Sequence, residues 1–242
     1  MQVDTISRIL LLMAMNSAVD FHNFIDKKID DNRKGTDSAS ATSYTVHGTS
    51  DLNQLKIIDV DLVTKIIRES PTKHCNLDPI PAWLVKNCVS LLAPYITLFV
   101  NHSVVKGCFP SHWKHATISP LVKKCGLDDT SYRPVSKLLF LSKVLERVIH
   151  MQTIAYLDEN NLLPDTQSAY RCVHFAEMAL LKVFSDLIDA MDSGRLVLLS
   201  LLNLSAAFDT VDNDILRQRM SMSFRITGKS LQWFDSYLKD RM

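Results

Sequence analysis

The seven residues Leu196-Val197-Leu198-Leu199-Ser200-Leu201-Leu202 constrain the fold of this chain more than any other stretch. Ser193-Gly194 sets the start of this nearly continuous apolar run, and Asn203 sets its end. Periodicity alone cannot separate strand from helix in so apolar a run. Its length and its bracketing residues favour a strand buried on both faces.

The surroundings read as helical. Ile9, Leu12, Met13, Ala18, Phe21 and Phe24 recur at three- and four-residue spacing, which predicts a helix over residues 5–33. Lys34 to Ser43 is small, polar and without period, a linker expected to stay disordered to about residue 54. Asp59 is placed to cap a helix over 60–69, with Leu62, Ile66 and Ile67 on one face. Pro79 and Pro81 open a helix containing Trp83, Leu84 and Val85. A second helix follows over 91–105 and ends at Gly107, where a left-handed cap is expected. Residues 116–122 look like a short strand, and 127–134 like a polar turn. Further helices are expected over 138–157, 175–191, 214–222 and 228–238, the first carrying Leu141, Val144, Leu145, Val148 and Ile149. The whole is a helix-rich α+β chain with one buried strand. Its 242 residues have room for one large domain or two small ones, and 47% apolar with 22% charged residues is a globular balance.

Net charge is +1, so the distribution of charge is more useful than its total. Residues 106–150 carry eight Lys or Arg against three acids, while residues 151–242 carry nine basic groups against twelve acidic ones. A basic segment followed by an acidic one suits a protein that holds phosphates with one part and metal ions with another, although ordinary surface variation produces the same pattern. Five scattered cysteines without a Cys-x-x-Cys pair favour reduced thiols, hence the nucleus or cytoplasm, over a disulfide framework or zinc site. The longest N-terminal apolar run, Ile9 to Met15, is far short of the roughly 20 residues that span a bilayer, and no membrane partner is expected.

A buried strand that ends in a carboxylate is a standard setting for metal chemistry, because the strand fixes the acid and the apolar wall excludes water. Here the strand end is an amide, Asn203, followed by Asp209 and Asp212 three residues apart. Two acids at that spacing, taken alone, are solvated surface residues, and no further metal ligand is evident.

The stretch Leu201–Leu216, Leu-Leu-Asn-Leu-Ser-Ala-Ala-Phe-Asp-Thr-Val-Asp-Asn-Asp-Ile-Leu, closely resembles the first palm motif of Jockey- and CR1-like non-LTR retrotransposon reverse transcriptases. Upstream, Ser131-Tyr132-Arg133-Pro134-Val135-Ser136 and Phe140-Leu141-Ser142-Lys143-Val144-Leu145-Glu146 resemble the fingers of that family. So do Leu157-Asp158-Glu159-Asn160-Asn161-Leu162-Leu163 and Gln167-Ser168-Ala169-Tyr170-Arg171. The segments Leu77–Leu84, Gly107–Pro110 and Leu231–Leu238 fit as well. Several motifs in order, from about residue 59 onward, make the resemblance specific.

The resemblance implies fingers and a partial palm of a right-hand polymerase, preceded by an N-terminal helix (1–33), a flexible linker (34–58) and a helical lead-in (59–115), with fingers and palm over 116–242. It also implies an RNA template, a DNA primer, deoxynucleotides and Mg²⁺. Asn203 stands where the family carries its first metal-binding Asp, and an amide lacks the charge that a hard cation needs, so Mg²⁺ is expected not to bind and no catalytic residue is intact. Phe208 matches the aromatic below the incoming sugar, although by itself it reads as a core aromatic. Arg171 resembles the fingers arginine that contacts the triphosphate, a role suited to a guanidinium; alone, it reads equally as a surface arginine. The family continues from it with Pro-Gly-His, whereas this chain has Cys172-Val173-His174. Arg133, Lys143, Lys123 and Lys124 are candidates for nucleic-acid phosphates, and equally plausible as solvated charge. Arg225 stands where a glycine is common. The family's Phe/Tyr-Ala-Asp-Asp hairpin does not occur in these 242 residues, so the chain is expected to be a fragment that ends before that hairpin and the thumb. Three readings follow: an inactive fragment of an RNA-directed DNA polymerase, a residual RNA or primer–template binding module, or a poorly folded pseudogene product whose strand lacks neighbours.

Overall fold

The computed structural model describes residues 18–34, 50–73, 75–122, 132–202, 207–208 and 210–239. The described chain runs α1 (Ala18–Arg33), α2 (Val60–Glu69), α3 (Ala82–Asn87), α4 (Val89–Lys106), β1 (Ala116–Val122), β2 (Tyr132–Leu138), α5 (Phe140–Glu159), α6 (Ala176–Asp192), α7 (Asn213–Met222) and α8 (Gly228–Leu238). It is helix-rich α+β, as expected. The apolar stretch over 9–15 lies outside the described residues.

Local chemistry sets the helix ends. The Asp59 carboxylate accepts from the Leu62 N–H at 2.7 Å and starts α2. Gly107 ends α4 with φ +64°, while the N–H groups of Gly107 and Cys108 reach back to the carbonyls of Val104 and Ser103. This is the paired closure that glycine permits without a Cβ clash. The N-terminus of α5 is served from a distance: the Phe140 N–H donates to Asp78 Oδ1 at 2.6 Å. Asp78 therefore ties the segment before α3 to a helix 62 residues later, and places negative charge at a helix N-terminus.

One core joins these elements. Val63, Ile66 and Ile67 of α2, Ala93, Ile96 and Val100 of α4, and Val144, Leu145 and Val148 of α5 pack together. Trp233 of α8 enters the same core, 1% exposed, stacked on Tyr237 and edge-on to Phe109. Its indole N–H donates to Ser103 Oγ at 3.0 Å, so α8 is fixed to α4 by both packing and a buried hydrogen bond.

The linker expectation is corrected over its last residues. Residues 50–58 are an ordered extended segment with Leu55 buried. Two side-chain amides take the place of a neighbouring strand. Gln152 accepts from the Lys56 N–H at 2.7 Å and donates to its carbonyl at 2.9 Å. Asn101 does the same for Ile58, both at 2.9 Å. Leu52 pairs in parallel with Ile226, and the carbonyls of Ser50 and Phe224 both face the single Tyr156 hydroxyl proton, at 3.0 and 2.9 Å. With their polar groups satisfied, these backbones hold their place.

β1 and β2 form an antiparallel pair, with Ala116 opposite Leu138 and Val122 opposite Tyr132. The expected turn over 127–134 is therefore partly strand: Tyr132, Arg133 and Pro134 belong to β2, and 123–131 lie outside the described residues. Pro120 faces Pro134 across the pair. Two residues without an N–H are compatible with facing each other only where the N–H groups would point outward, so each outer edge loses a donor there.

The largest correction concerns Leu196–Leu202. No strand forms there; the run is irregular, with Leu198 94% and Leu201 85% exposed. A strand is completed by hydrogen bonds to a neighbour, and the only sheet among the described residues is the β1–β2 pair. The preceding helix α6 buries none of its side chains.

Candidate functional site

The turn between α5 and α6 carries the first of the expected contact residues. Arg171 is half-exposed, and its Nη1 donates to the Pro164 carbonyl at 3.0 Å, leaving its other donors free of protein partners among the described residues. Tyr170 and Val173 on either side both have left-handed backbone, with φ +61° and +64°. His174 closes the turn through its ring Nδ1 against the Cys172 carbonyl at 2.9 Å. A β-branched residue at positive φ is an outlier costing about 1–2 kcal/mol. Val173 thus adopts a backbone conformation that favours glycine, with valine in it. Arg225, the second position noted for a missing glycine, is also left-handed, at φ +51°.

Phe208 is exposed rather than a core aromatic. Its ring stands edge-on to that of Tyr170, with centroids 6.2 Å apart and planes at 78°. Phe208 and Tyr170, the residue before Arg171, are thus neighbours in space. Of the remaining candidates, the structure describes the Lys143 side chain and the Arg133 backbone. Lys143 is exposed in the first turn of α5 and makes no hydrogen bond or ring contact to Arg171 or Phe208. Arg133 occupies a β2 position opposite Leu121. Lys123, Lys124, Asn203 and Asp209 lie outside the described residues.

Asp212, one of the two acids after the apolar run, serves as a helix cap. Its Oδ1 accepts from the N–H groups of Asp214 and Ile215 at 2.8 and 3.0 Å and starts α7. Among the described residues no three His, Cys, Asp or Glu side chains converge to hold a metal ion. Mg²⁺ requires carboxylate oxygens brought together at short range. Asn203, where the resemblance looks for the first of them, and Asp209 lie outside the described residues. No helix of the described residues is long and apolar enough to cross a membrane. The features that pattern reading missed are Asp78, Asn101, Gln152 and Tyr156, polar side chains whose partners lie 43 to 106 residues away.

With this geometry in view, comparison with known proteins finds curated relatives. The chain is 32% identical over 148 residues to the probable RNA-directed DNA polymerase from transposon X-element of Drosophila melanogaster, covering 60% of this chain and 16% of that protein. It is 27% identical over 190 residues to the probable RNA-directed DNA polymerase from transposon BS of the same organism, covering 77% and 21%. With the RNA-directed DNA polymerase from mobile element jockey it shares 31% over 164 residues, covering 65% and 18%. No protein-family model matches the chain. The chain is homologous to the RNA-directed DNA polymerases of mobile elements. Within that class its relatives are the non-LTR retrotransposons to which jockey, X-element and BS belong. It spans about a fifth or less of the length of these relatives.

Proposed function

We propose that this chain is the fingers and the start of the palm of a non-LTR retrotransposon reverse transcriptase, and that it faces nucleic acid and nucleotide without polymerising. Residues 59–115 serve as the lead-in and residues 116–242 as the fingers and partial palm. The observation that carries the reading is the approach of Phe208 to Tyr170 beside Arg171. Two motifs that resemble nucleotide-contacting positions of the family, far apart in sequence, are neighbours here. Arg171 retains donors for a phosphate, and Arg133, Lys143, Lys123 and Lys124 supply positive charge for a template–primer backbone.

Catalytic silence rests on Asn203. One neutral amide oxygen in place of a carboxylate weakens capture of a hard divalent cation. Two measurements test the proposal on the whole chain. Primer extension on an RNA template with Mg²⁺ or Mn²⁺ is expected to yield no product; template-dependent incorporation would refute the silence. Binding of an RNA–DNA hybrid is expected to weaken steeply with salt, and Arg171→Ala or Lys143→Ala each to flatten the slope of log affinity against log salt by about 1. Binding that ignores salt and both substitutions refutes the nucleic-acid role.

A second reading is favoured by the exposed run Leu196–Leu202: a degraded element copy that folds poorly and has no activity. Calorimetry separates the two, because a chain that keeps the α2–α4–α5–α8 core unfolds cooperatively.

A further inference from the structure

Helix α4 has no charged side chain from Val89 through Val105. Its inner arc enters the core through Ala93, Ile96, Val100 and Val104. Its outer arc is also apolar: Leu91, Tyr95, Leu98, Phe99 and Val105 are each more than half exposed. At 100° per residue these five positions span about 120° of the helix, interrupted by His102 and, at its last residue, by Lys106. The neighbouring helix α2 behaves differently and turns Asp61, Lys65 and Arg68 to solvent. A helix that is apolar all round belongs in an interior, so α4 lacks one neighbour.

The spacing points to what that neighbour is. Leu91, Tyr95, Leu98, His102 and Val105 recur at intervals of four, three, four and three, the repeat of a helix–helix seam. The seam carries no charge, so nothing in it selects an oppositely charged partner and nothing in it repels an identical copy. The five apolar side chains of the outer arc, Phe99 included, leave roughly 600 Å² open per chain, taking about 200 Å² for each large side chain. Two copies would then bury about 1,200 Å², above the ~1,000 Å² that a specific interface needs. We infer that the chain forms a two-fold symmetric homodimer through the outer faces of α4, antiparallel, with the two Leu98 side chains beside the axis. This surface is separate from the Arg171–Phe208 site and does not rest on the proposed function.

Analytical ultracentrifugation of the whole chain over a dilution series tests it. The unaltered chain is expected to sediment as a dimer. Leu98→Glu and Leu98→Lys are each expected to raise the dissociation constant at least tenfold, because like charges then meet at the axis. An equimolar mixture of the two variants should recover the dimer, since the opposed charges then face each other. Tyr95→Glu serves as a second disrupting variant, and unchanged far-UV circular dichroism shows that the exposed substitutions leave the fold intact. Phe184→Glu on α6 should leave the dimer mass unchanged. Three outcomes overturn the inference: a monomer at all concentrations, as when residues 1–33 cover α4 within one chain; an assembly indifferent to Leu98→Glu; or a variant mixture that stays monomeric.

Discussion

Replacing Arg225 separates two opposing contributions held by one residue. Arg225 has left-handed backbone at φ +51°, and its guanidinium pairs with Asp51. Its carbonyl accepts from the Leu52 N–H at 3.0 Å, and the next residue, Ile226, is 2% exposed. The strain is therefore embedded in the junction between residues 50–53 and the α7–α8 corner, where global unfolding will report it. Positive φ costs a residue with a Cβ about 1–2 kcal/mol. Glycine removes that cost but gains freedom in the unfolded chain, which returns about 0.4–1 kcal/mol. The partly exposed ion pair contributes only about 0.2–1 kcal/mol. Arg225→Gly should thus lie within about 1 kcal/mol of the parent, because relief and loss nearly cancel. Arg225→Ala loses the same side-chain contacts and keeps the strain. The two variants isolate the backbone contribution, and glycine should be the more stable by about 0.5–1 kcal/mol. Urea unfolding followed by far-UV circular dichroism resolves this as a midpoint difference of about 0.3 M at ordinary slopes. Equal midpoints, or a more stable alanine variant, would refute the assignment of a strained glycine position.

Three further outcomes are expected. Val173→Gly should slow limited proteolysis of the 170–174 turn and lower its hydrogen exchange modestly, because the Val173 side chain is exposed and the strain removed, about 1–2 kcal/mol, exceeds the about 0.4–1 kcal/mol that glycine's added freedom costs; unchanged rates would count against strain there. Trp233→Phe and Ser103→Ala should each cost about 2 kcal/mol and be coupled by about 1 kcal/mol in a double-mutant cycle, since removing Ser103 Oγ orphans a buried indole N–H that phenylalanine does not have. The Tyr156 hydroxyl is held above its usual pKa of 10.0, first by burial and then by the Asp51 charge. A raised folded-state pKa gives stability that is complete below the unfolded value and lost as pH rises through the folded one. The stability difference between the parent and Tyr156→Phe should therefore shrink above about pH 10 and stay constant below it.

The helices were legible because their signals are local. Asp59 caps α2 three residues from its partner N–H, and Gly107 closes α4 onto carbonyls within the same turn. The ordering of residues 50–58 was not legible, since small polar residues precede them and the groups that hold them, Asn101 and Gln152, are ordinary amides on distant helices. Composition announces a linker, and nothing in the run itself announces its clamps. Part of the candidate site was equally local: motif order marked Arg171 and Phe208. The approach of Phe208 to Tyr170, the residue before Arg171, depends on how the α5–α6 turn and the residues before α7 fall together, and Tyr170 carried no pattern of its own.

Leu196–Leu202 shows the limit of such reading in its clearest form. The run has the composition of a central strand, but a strand is a property of at least two segments, and the described residues contain no partner for it. An apolar sequence therefore specifies what it must be buried against without supplying it. The same reasoning extends to the helix before it: α6 leaves Leu181, Phe184 and Ile188 exposed beside that run. If the run and α6 are two faces of one unsatisfied layer, a charge on either should improve solubility without lowering the unfolding midpoint. Leu198→Lys and Phe184→Lys are the two substitutions to compare. A loss of about 2 kcal/mol or more in either would mean that the side chain is buried in solution, as full burial of a large apolar side chain is worth about 1.5–3 kcal/mol. Unchanged midpoints with higher solubility would mark the whole stretch as an exposed apolar surface in solution.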